Sequence, residues 1–251
     1  MQSLGKKELH KPNSWIIYLK KRDKESPTVE LNIYLGVMAI NVTKRASLLI
    51  NLCFLCLLFF SLLGWAVRTK MPWVMHFDRL INNFIYSGIS NTLTPLAKLL
   101  THLADYRFLF LLAIFFCILF FFLKKGIAGL IFLVFYSGTR ELRTFTKDLI
   151  GRTRPSEGNG YSFPSGHMMY ATFFYGFLFY MFLRSMSQET RKKWKGPLLG
   201  VYFILLAGIG WSRIYLNDHF ATDNLGGAAL GFACLLFSIL LLELIEKRKK
   251  R

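Results

Sequence analysis

Six apolar runs, at about 46–67, 107–123, 126–145, 167–184, 197–212 and 222–245, constrain this chain more than any other feature. Each is close to the length that crosses the roughly 30 Å hydrocarbon core of a bilayer as a helix. In hydrocarbon a backbone must satisfy its own N–H and C=O groups, and a helix does so within one segment. The expectation is an all-α integral membrane protein, a six-transmembrane helix bundle. The second and third runs are separated only by Lys124, Lys125 and Gly126 and predict a helical hairpin, while the fifth is short and extends at either end. A composition that is 53% hydrophobic, with 25 Phe, suits lipid better than a soluble core.

Charge sets the orientation. The net charge of +18 would suit nucleic acid, but the cations lie in loops between apolar runs and alternate from one side to the other. Lys20, Lys21, Arg22, Lys24, Lys44, Arg45, Lys124, Lys125, Arg184, Arg191, Lys192, Lys193, Lys195 and the tail from Lys247 to Arg251 fall on one side, which the positive-inside rule makes cytoplasmic. The expectation is a multi-pass protein of the cell inner (cytoplasmic) membrane with both termini cytoplasmic and no nucleic-acid partner. The first 30 residues lack the apolar core of a cleavable signal, so the first run reads as an uncleaved signal anchor. Cys53, Cys56, Cys117 and Cys234 all fall in apolar runs. They read as ordinary reduced thiols rather than a redox or metal pair.

Two domains are expected. Residues 1–37 form a basic extension, lying on the membrane surface or disordered, and 38–251 form the membrane domain. Met38 is a candidate alternative start, and the sequon at Asn41 falls on the cytoplasmic side and reads as chance. The longest inter-span segment, 68–106, places Leu80, Phe84, Leu93, Leu96, Leu99 and Leu103 at amphipathic spacing. It predicts an extracytoplasmic amphipathic helical segment between spans one and two, either a lid or a layer packed along the interface. Gly227-x-x-x-Gly231 permits close helix packing, within the monomer rather than between copies; nothing in the sequence speaks to oligomeric state.

Three clusters carry the chemistry: Lys147 with Arg154-Pro155, then Pro164-Ser165-Gly166-His167, then Ser212-Arg213 with His219 and Asp223. Tracing the spans brings all three to one mouth of the bundle, which faces outward if the termini are cytoplasmic. The cations there run against the charge rule, which points to a bound anion. Arg140 and Arg143 flank Glu141 and are open to a structural reading, and Arg152 fits either role. Lys147, Arg154 and Arg213 suit a phosphoryl group, whose charge spreads over its equatorial oxygens. Gly166 lets the backbone approach closely at a helix start that favours anions, and Ser165 adds a hydroxyl. His219 and Asp223, four apart, share a helix face if the last helix starts by His219. The carboxylate then holds one imidazole nitrogen while the other attacks. His167 has no carboxylate at that spacing and suits a general acid and base. His167, His219 and Asp223 would also make a two-histidine, one-carboxylate metal site, but three neighbouring cations oppose a metal, so no cofactor is expected.

These clusters match every fixed position of K-x6-R-P, P-S-G-H and S-R-x5-H-x3-D, over residues 147–223. The chain therefore resembles the type-2 phosphatidic acid phosphatase superfamily, in its membrane lipid phosphatase branch. The resemblance extends through the span layout to about 46–245 and leaves residues 1–37 uncovered. It implies a metal-independent hydrolase that forms a phosphohistidine at His219 with Asp223 as partner and His167 as acid. Lys147, Arg154, Ser165, Gly166 and Arg213 would bind the phosphate. The expected substrate is a lipid phosphate or diphosphate in the bilayer: undecaprenyl diphosphate, phosphatidylglycerophosphate, phosphatidic acid or lipid A. A phosphotransferase using the same intermediate, and a non-enzymatic membrane protein with a relict site, are the alternatives.

Overall fold

The computed structural model describes residues 44–156 and 158–249. The expectations for residues 1–37, for Met38 as a start and for the sequon at Asn41 lie outside them. Contacts divide the chain into Met1–Leu48 and Leu49–Arg251, and the core and the site both belong to the second unit.

The described residues form eight helices, in order α1 (Lys44–Arg68), α2 (Pro72–Tyr86), α3 (Leu93–His102), α4 (Tyr106–Phe122), α5 (Gly126–Ile150), α6 (Gly166–Ser185), α7 (Gln188–Tyr215) and α8 (Ala221–Lys249). The six apolar runs coincide with α1 and α4 to α8. The boundaries have local causes. Asp105 caps α4 by accepting from the N–H groups of Arg107 and Phe108. Gly151, in the left-handed region at φ +70°, ends α5. The Ser187 hydroxyl caps α7. α4 and α5 form the expected hairpin around Lys124 and Lys125.

Three helices, α1, α7 and α8, are long and apolar enough to cross a membrane, and α3 with α4, bent by 46°, makes a fourth candidate. α5 and α6 fall short of that hydropathy for an instructive reason. α6 is largely enclosed by α4, α5, α7 and α8, so most of its surface meets protein. The second half of α5 carries five charged residues, of which Arg140 and Arg143 line the cavity described below and Lys147 is buried beside it. α1 shows the opposite case: only 11% of its apolar window is buried, with Phe54 and Leu62 exposed.

The core is aromatic. Phe132 of α5 packs its ring 5.0 Å from Phe177 and 5.3 Å from Phe174 of α6, centroid to centroid. Tyr136 sits 5.4 Å from Tyr106 and donates its hydroxyl to the Tyr106 carbonyl. Above this core α8 meets α6 through the small-residue pattern. A Cβ on Gly227 would lie 2.3 Å from the Ser165 carbonyl oxygen, and one on Gly231 would lie 2.7 Å from that of Met169. The pattern therefore serves packing within the monomer, as expected. It brings the first turn of α8 against the start of α6, where the Ser165 N–H donates to the Asp223 carbonyl.

α2 and α3 fill the segment between α1 and α4, as the amphipathic spacing predicts. α2 packs on α7 and α8, and α3 packs on α7. The buried side of α2 reads Val74, Asp78, Asn82, one residue per turn. The loop between α5 and α6 is pinned by Phe163, fully buried among Leu63, Ala66 and Val67 of α1 and Val74 of α2. All four cysteines are free thiols.

Candidate active site

The turn between α7 and α8, residues 216–220, places His219. The Arg213 carbonyl accepts from the N–H groups of both Asp218 and His219, which folds the turn back on the end of α7. α8 starts at Ala221 and not by His219, so the histidine precedes the helix by two residues. The pairing with Asp223 survives. Asp223 occupies the third position of α8 and its Oδ2 accepts from the Phe220 N–H at 2.8 Å, the returning half of a capping box. The same oxygen lies 3.4 Å from His219 Nδ1. That contact is long for a full hydrogen bond, so its pull is mainly electrostatic. His219 lies outside the helices and is buried. Burial pushes its pKa down to about 4 against the opposing pull of Asp223, and Arg213 and Lys147 add to the fall. The free imidazole is neutral and able to act as a nucleophile.

Cations gather near the imidazole. Arg213 Nη2 lies 2.7 Å from Asp218 Oδ2, and Nη1 donates to the Thr101 hydroxyl of α3. Arg154 reaches the same turn, with Nη1 at 3.3 Å from the Asp218 carbonyl and 3.7 Å from its carboxylate. Lys147, buried in the last turn of α5, donates to the Tyr161 carbonyl. The Ser165 hydroxyl is fully buried, and among the described residues it has no hydrogen-bond partner; the same holds for Nε of Arg154 and of Arg213. Buried donors without acceptors are costly, and an anion would satisfy several at once.

A cavity of about 590 Å³ opens here, lined in part by Arg154, Gly166, His167, Arg213 and His219. Five of the eight expected site residues thus share one cavity wall. Asp223 backs His219, and Ser165 and Lys147 stand beside the wall without lining it. The arrangement offers a neutral imidazole, a second histidine, two arginines and a helix start around one space, with Lys147 beside it.

Arg152 and Arg143, whose roles the sequence left open, and Asp78 and Asp218, which it did not single out, also belong to this neighbourhood. Arg152, left open above, is a carboxylate clamp: Nη1 meets Asp223 Oδ1 at 2.9 Å and Nη2 meets Asp78 Oδ2 at 2.6 Å. Its guanidinium also lies 3.9 Å from the centre of the Phe220 ring. Asp78 accepts in addition from the N–H and hydroxyl of Thr222, each at 2.8 Å. A carboxylate on the apolar stripe of α2 was the visible signal for it. Asp218 bridges Arg154 and Arg213, and no periodic pattern marks it. Arg143, read as open to a structural role, lines the cavity.

Residues 127–246 match the PAP2 superfamily. The chain belongs to that family. Phosphatidylglycerophosphatase B of Bacillus subtilis (strain 168) is 32% identical over 199 residues, covering 77% of this chain and 94% of the relative. The crystal structure of the first transmembrane PAP2 type phosphatidylglycerolphosphate phosphatase from Bacillus subtilis is 28% identical. It superimposes with a TM-score of 0.68, covering 79% of this chain and 98% of that one.

Proposed function

We propose that residues 38–251 form a membrane phosphatase that hydrolyses a lipid phosphate or diphosphate through a phosphohistidine at His219, without a metal. The observation that carries this is the shared wall: His219, His167, Arg154 and Arg213 face one cavity while Asp223 is held behind His219. Nδ1 of His219 is turned to Asp223, which leaves Nε2 to attack phosphorus. In the first step the N–P bond forms, the bond to the leaving oxygen breaks, and His167 gives that oxygen a proton. In the second step His167 takes a proton from water, the water oxygen bonds to phosphorus, and the N–P bond breaks to release phosphate. Lys147, Arg154, Arg213, the Ser165 hydroxyl and the N–H groups at Gly166 hold the equatorial oxygens throughout.

A lipid substrate is supported by the cavity's rim. Phe110 and Leu111 of α4 line it, and Leu111 is 68% exposed on the outer surface of the bundle. A headgroup can reach the arginines while its tail stays in the bilayer. In this reading α1 and α4 to α8 are six spans, both termini are cytoplasmic, α2 and α3 lie on the outer face, and the site opens there. Phosphatidylglycerophosphate, the substrate in the relatives' names, stands with undecaprenyl diphosphate, phosphatidic acid and lipid A as candidates. Phosphate release from this panel by the full chain in detergent, with and without EDTA, tests the reading. His219→Ala should lower release by on the order of 10⁴-fold or more with the protein still folded. Retained release in that variant, or loss on EDTA restored by a divalent ion, would overturn the mechanism. Label recovered in a second lipid instead of free phosphate would make the chain a phosphotransferase.

A further inference from the structure

The cavity does not end at the residues that would hold one phosphate. Beyond His167 its wall continues through Arg140 and Arg143 of α5, Arg107 of α4, and Tyr106 and Tyr170. Arg140 and Arg143 are three apart and present one face of α5. Among the described residues, no carboxylate comes within ion-pair distance of these three arginines, whereas Arg152, Arg154 and Arg213 each have one. Among the described residues Asp105 is the one acid in the lining, and its Oδ1 caps α4 by accepting from the Arg107 and Phe108 N–H groups.

The geometry of Arg143 is specific. Among the described residues its Nε is buried without a hydrogen-bond partner, and its side chain otherwise meets the Tyr170 hydroxyl, which is neutral and leaves its charge uncompensated. A Cβ on Gly166 would lie 2.6 Å from that Nε and 2.8 Å from Cδ, so the side chain is wedged against the first residue of α6, next to His167. Arg140 is held over the Tyr106 ring at 5.2 Å. Five arginines line the space against Asp105 and the neighbouring Asp218, so positive charge is in excess and a further anion relieves the repulsion. A phosphomonoester carries at most two negative charges, and Lys147, Arg154 and Arg213, the last two sharing the single carboxylate of Asp218, answer those. A volume in the range of about 300–1,000 Å³ also accommodates a ligand larger than one phosphate.

We propose that Arg140 and Arg143, with Arg107 at the rim, form a second anion subsite on the leaving-group side, which receives a second phosphate of the same lipid. The preferred substrates then carry two phosphates a few bonds apart. Either the leaving group is itself a phosphate, as in a lipid diphosphate, or it bears a phosphodiester. This rests on the phosphatase reading above and narrows its substrate class. It also gives Gly166 a second task, because any side chain there would displace Arg143.

The test compares kcat/KM of the full chain in detergent on phosphatidic acid, a prenyl diphosphate and phosphatidylglycerophosphate, for wild type, Arg140→Gln and Arg143→Gln. The ratio of either two-phosphate lipid to phosphatidic acid should fall about 10- to 100-fold in Arg143→Gln and less in Arg140→Gln, the loss expected for a hydrogen bond to a charged partner. Arg140→Lys should restore part of the ratio. A fall confined to the diphosphate places its inner phosphate in the subsite, and one confined to phosphatidylglycerophosphate places the diester there; either supports the proposal. Equal falls on all three lipids would sink it. Should Arg143→Gln fail to fold, Arg140, which is exposed, carries the same comparison. A wild type that releases phosphate from none of the three would instead remove the phosphatase reading itself.

Discussion

Arg152 and Arg154 stand two residues apart and carry the same charge, yet they serve different neighbours. Arg152 is shared between Asp78 and Asp223, both buried, at 2.6 and 2.9 Å. Arg154 lines the cavity and, among the described residues, its nearest carboxylate is the partly exposed Asp218 at 3.7 Å and its Nε has no hydrogen-bond partner. The first cation is consumed in holding the carboxylate behind His219, and the second keeps its charge for a ligand. What separates a structural arginine from a binding one here is the number of carboxylates within reach, which motif spacing does not encode.

The comparison breaks most readily at Arg152. Arg152→Ala would leave Asp78 and Asp223 buried without their cation, and removing one partner of a buried pair costs about 3–5 kcal/mol. Thermal unfolding in detergent should show this loss, with activity falling alongside it. Arg154→Ala should behave the other way. Its phosphate release should drop about 10²- to 10³-fold, the usual scale for losing a charged transition-state donor, with the melting temperature within a few degrees of wild type. If Arg154→Ala melts the protein and Arg152→Ala remains stable, the division between the two arginines is wrong.

A smaller effect sharpens the carboxylate side. Asp78→Asn keeps the shape but weakens the bond to Arg152 and the acceptor for Thr222, at a cost of about 1–3 kcal/mol. Because Asp78 touches no part of the cavity lining, KM should hold while kcat falls, as expected if it positions Asp223 through Arg152. A matching rise in KM would argue that the network shapes the cavity instead.

The smallest shift is in pH. The pKa of His219 is depressed to about 4, chiefly by burial, so the imidazole stays neutral well below the ordinary histidine value. The acid limb of kcat/KM due to His219 should therefore fall near pH 4 and not near 6.5. The sign for stability is the same. The unfolded chain takes up this proton first, so His219 costs stability as pH falls from about 6.5 toward 4 and costs nothing above that window. An acid limb centred near 6.5 would mean that water reaches His219 freely.

Much of the fold was legible in the sequence. The six apolar runs became α1 and α4 to α8, the cations at 124–125 marked the hairpin, and the small-residue pattern in α8 marked its contact with α6. Each of these depends on neighbours within a turn or on one helix face. The last apolar run, from 222, lies one residue from the start of α8 at Ala221; the shared helix face of His219 and Asp223 depended on a start by His219, and the Asp223 cap at Phe220 puts it two residues later. Arg152 was left open and Asp78 was missed for one reason: the two stand 74 positions apart, and no local period links them.

The sequence by itself determined that this chain is helical and apolar, since a helix closes its hydrogen bonds locally. It also supplied the residue types for phosphoryl chemistry in an order that only one mouth of a bundle can collect. The tertiary structure alone decided which cations are neutralised and which remain for a ligand. Ion pairing depends on carboxylates delivered from elsewhere in the chain: Asp78 of α2 and Asp223 of α8 for Arg152 alone, the single carboxylate of Asp218 shared between Arg154 and Arg213, and none for Arg140 and Arg143 among the described residues.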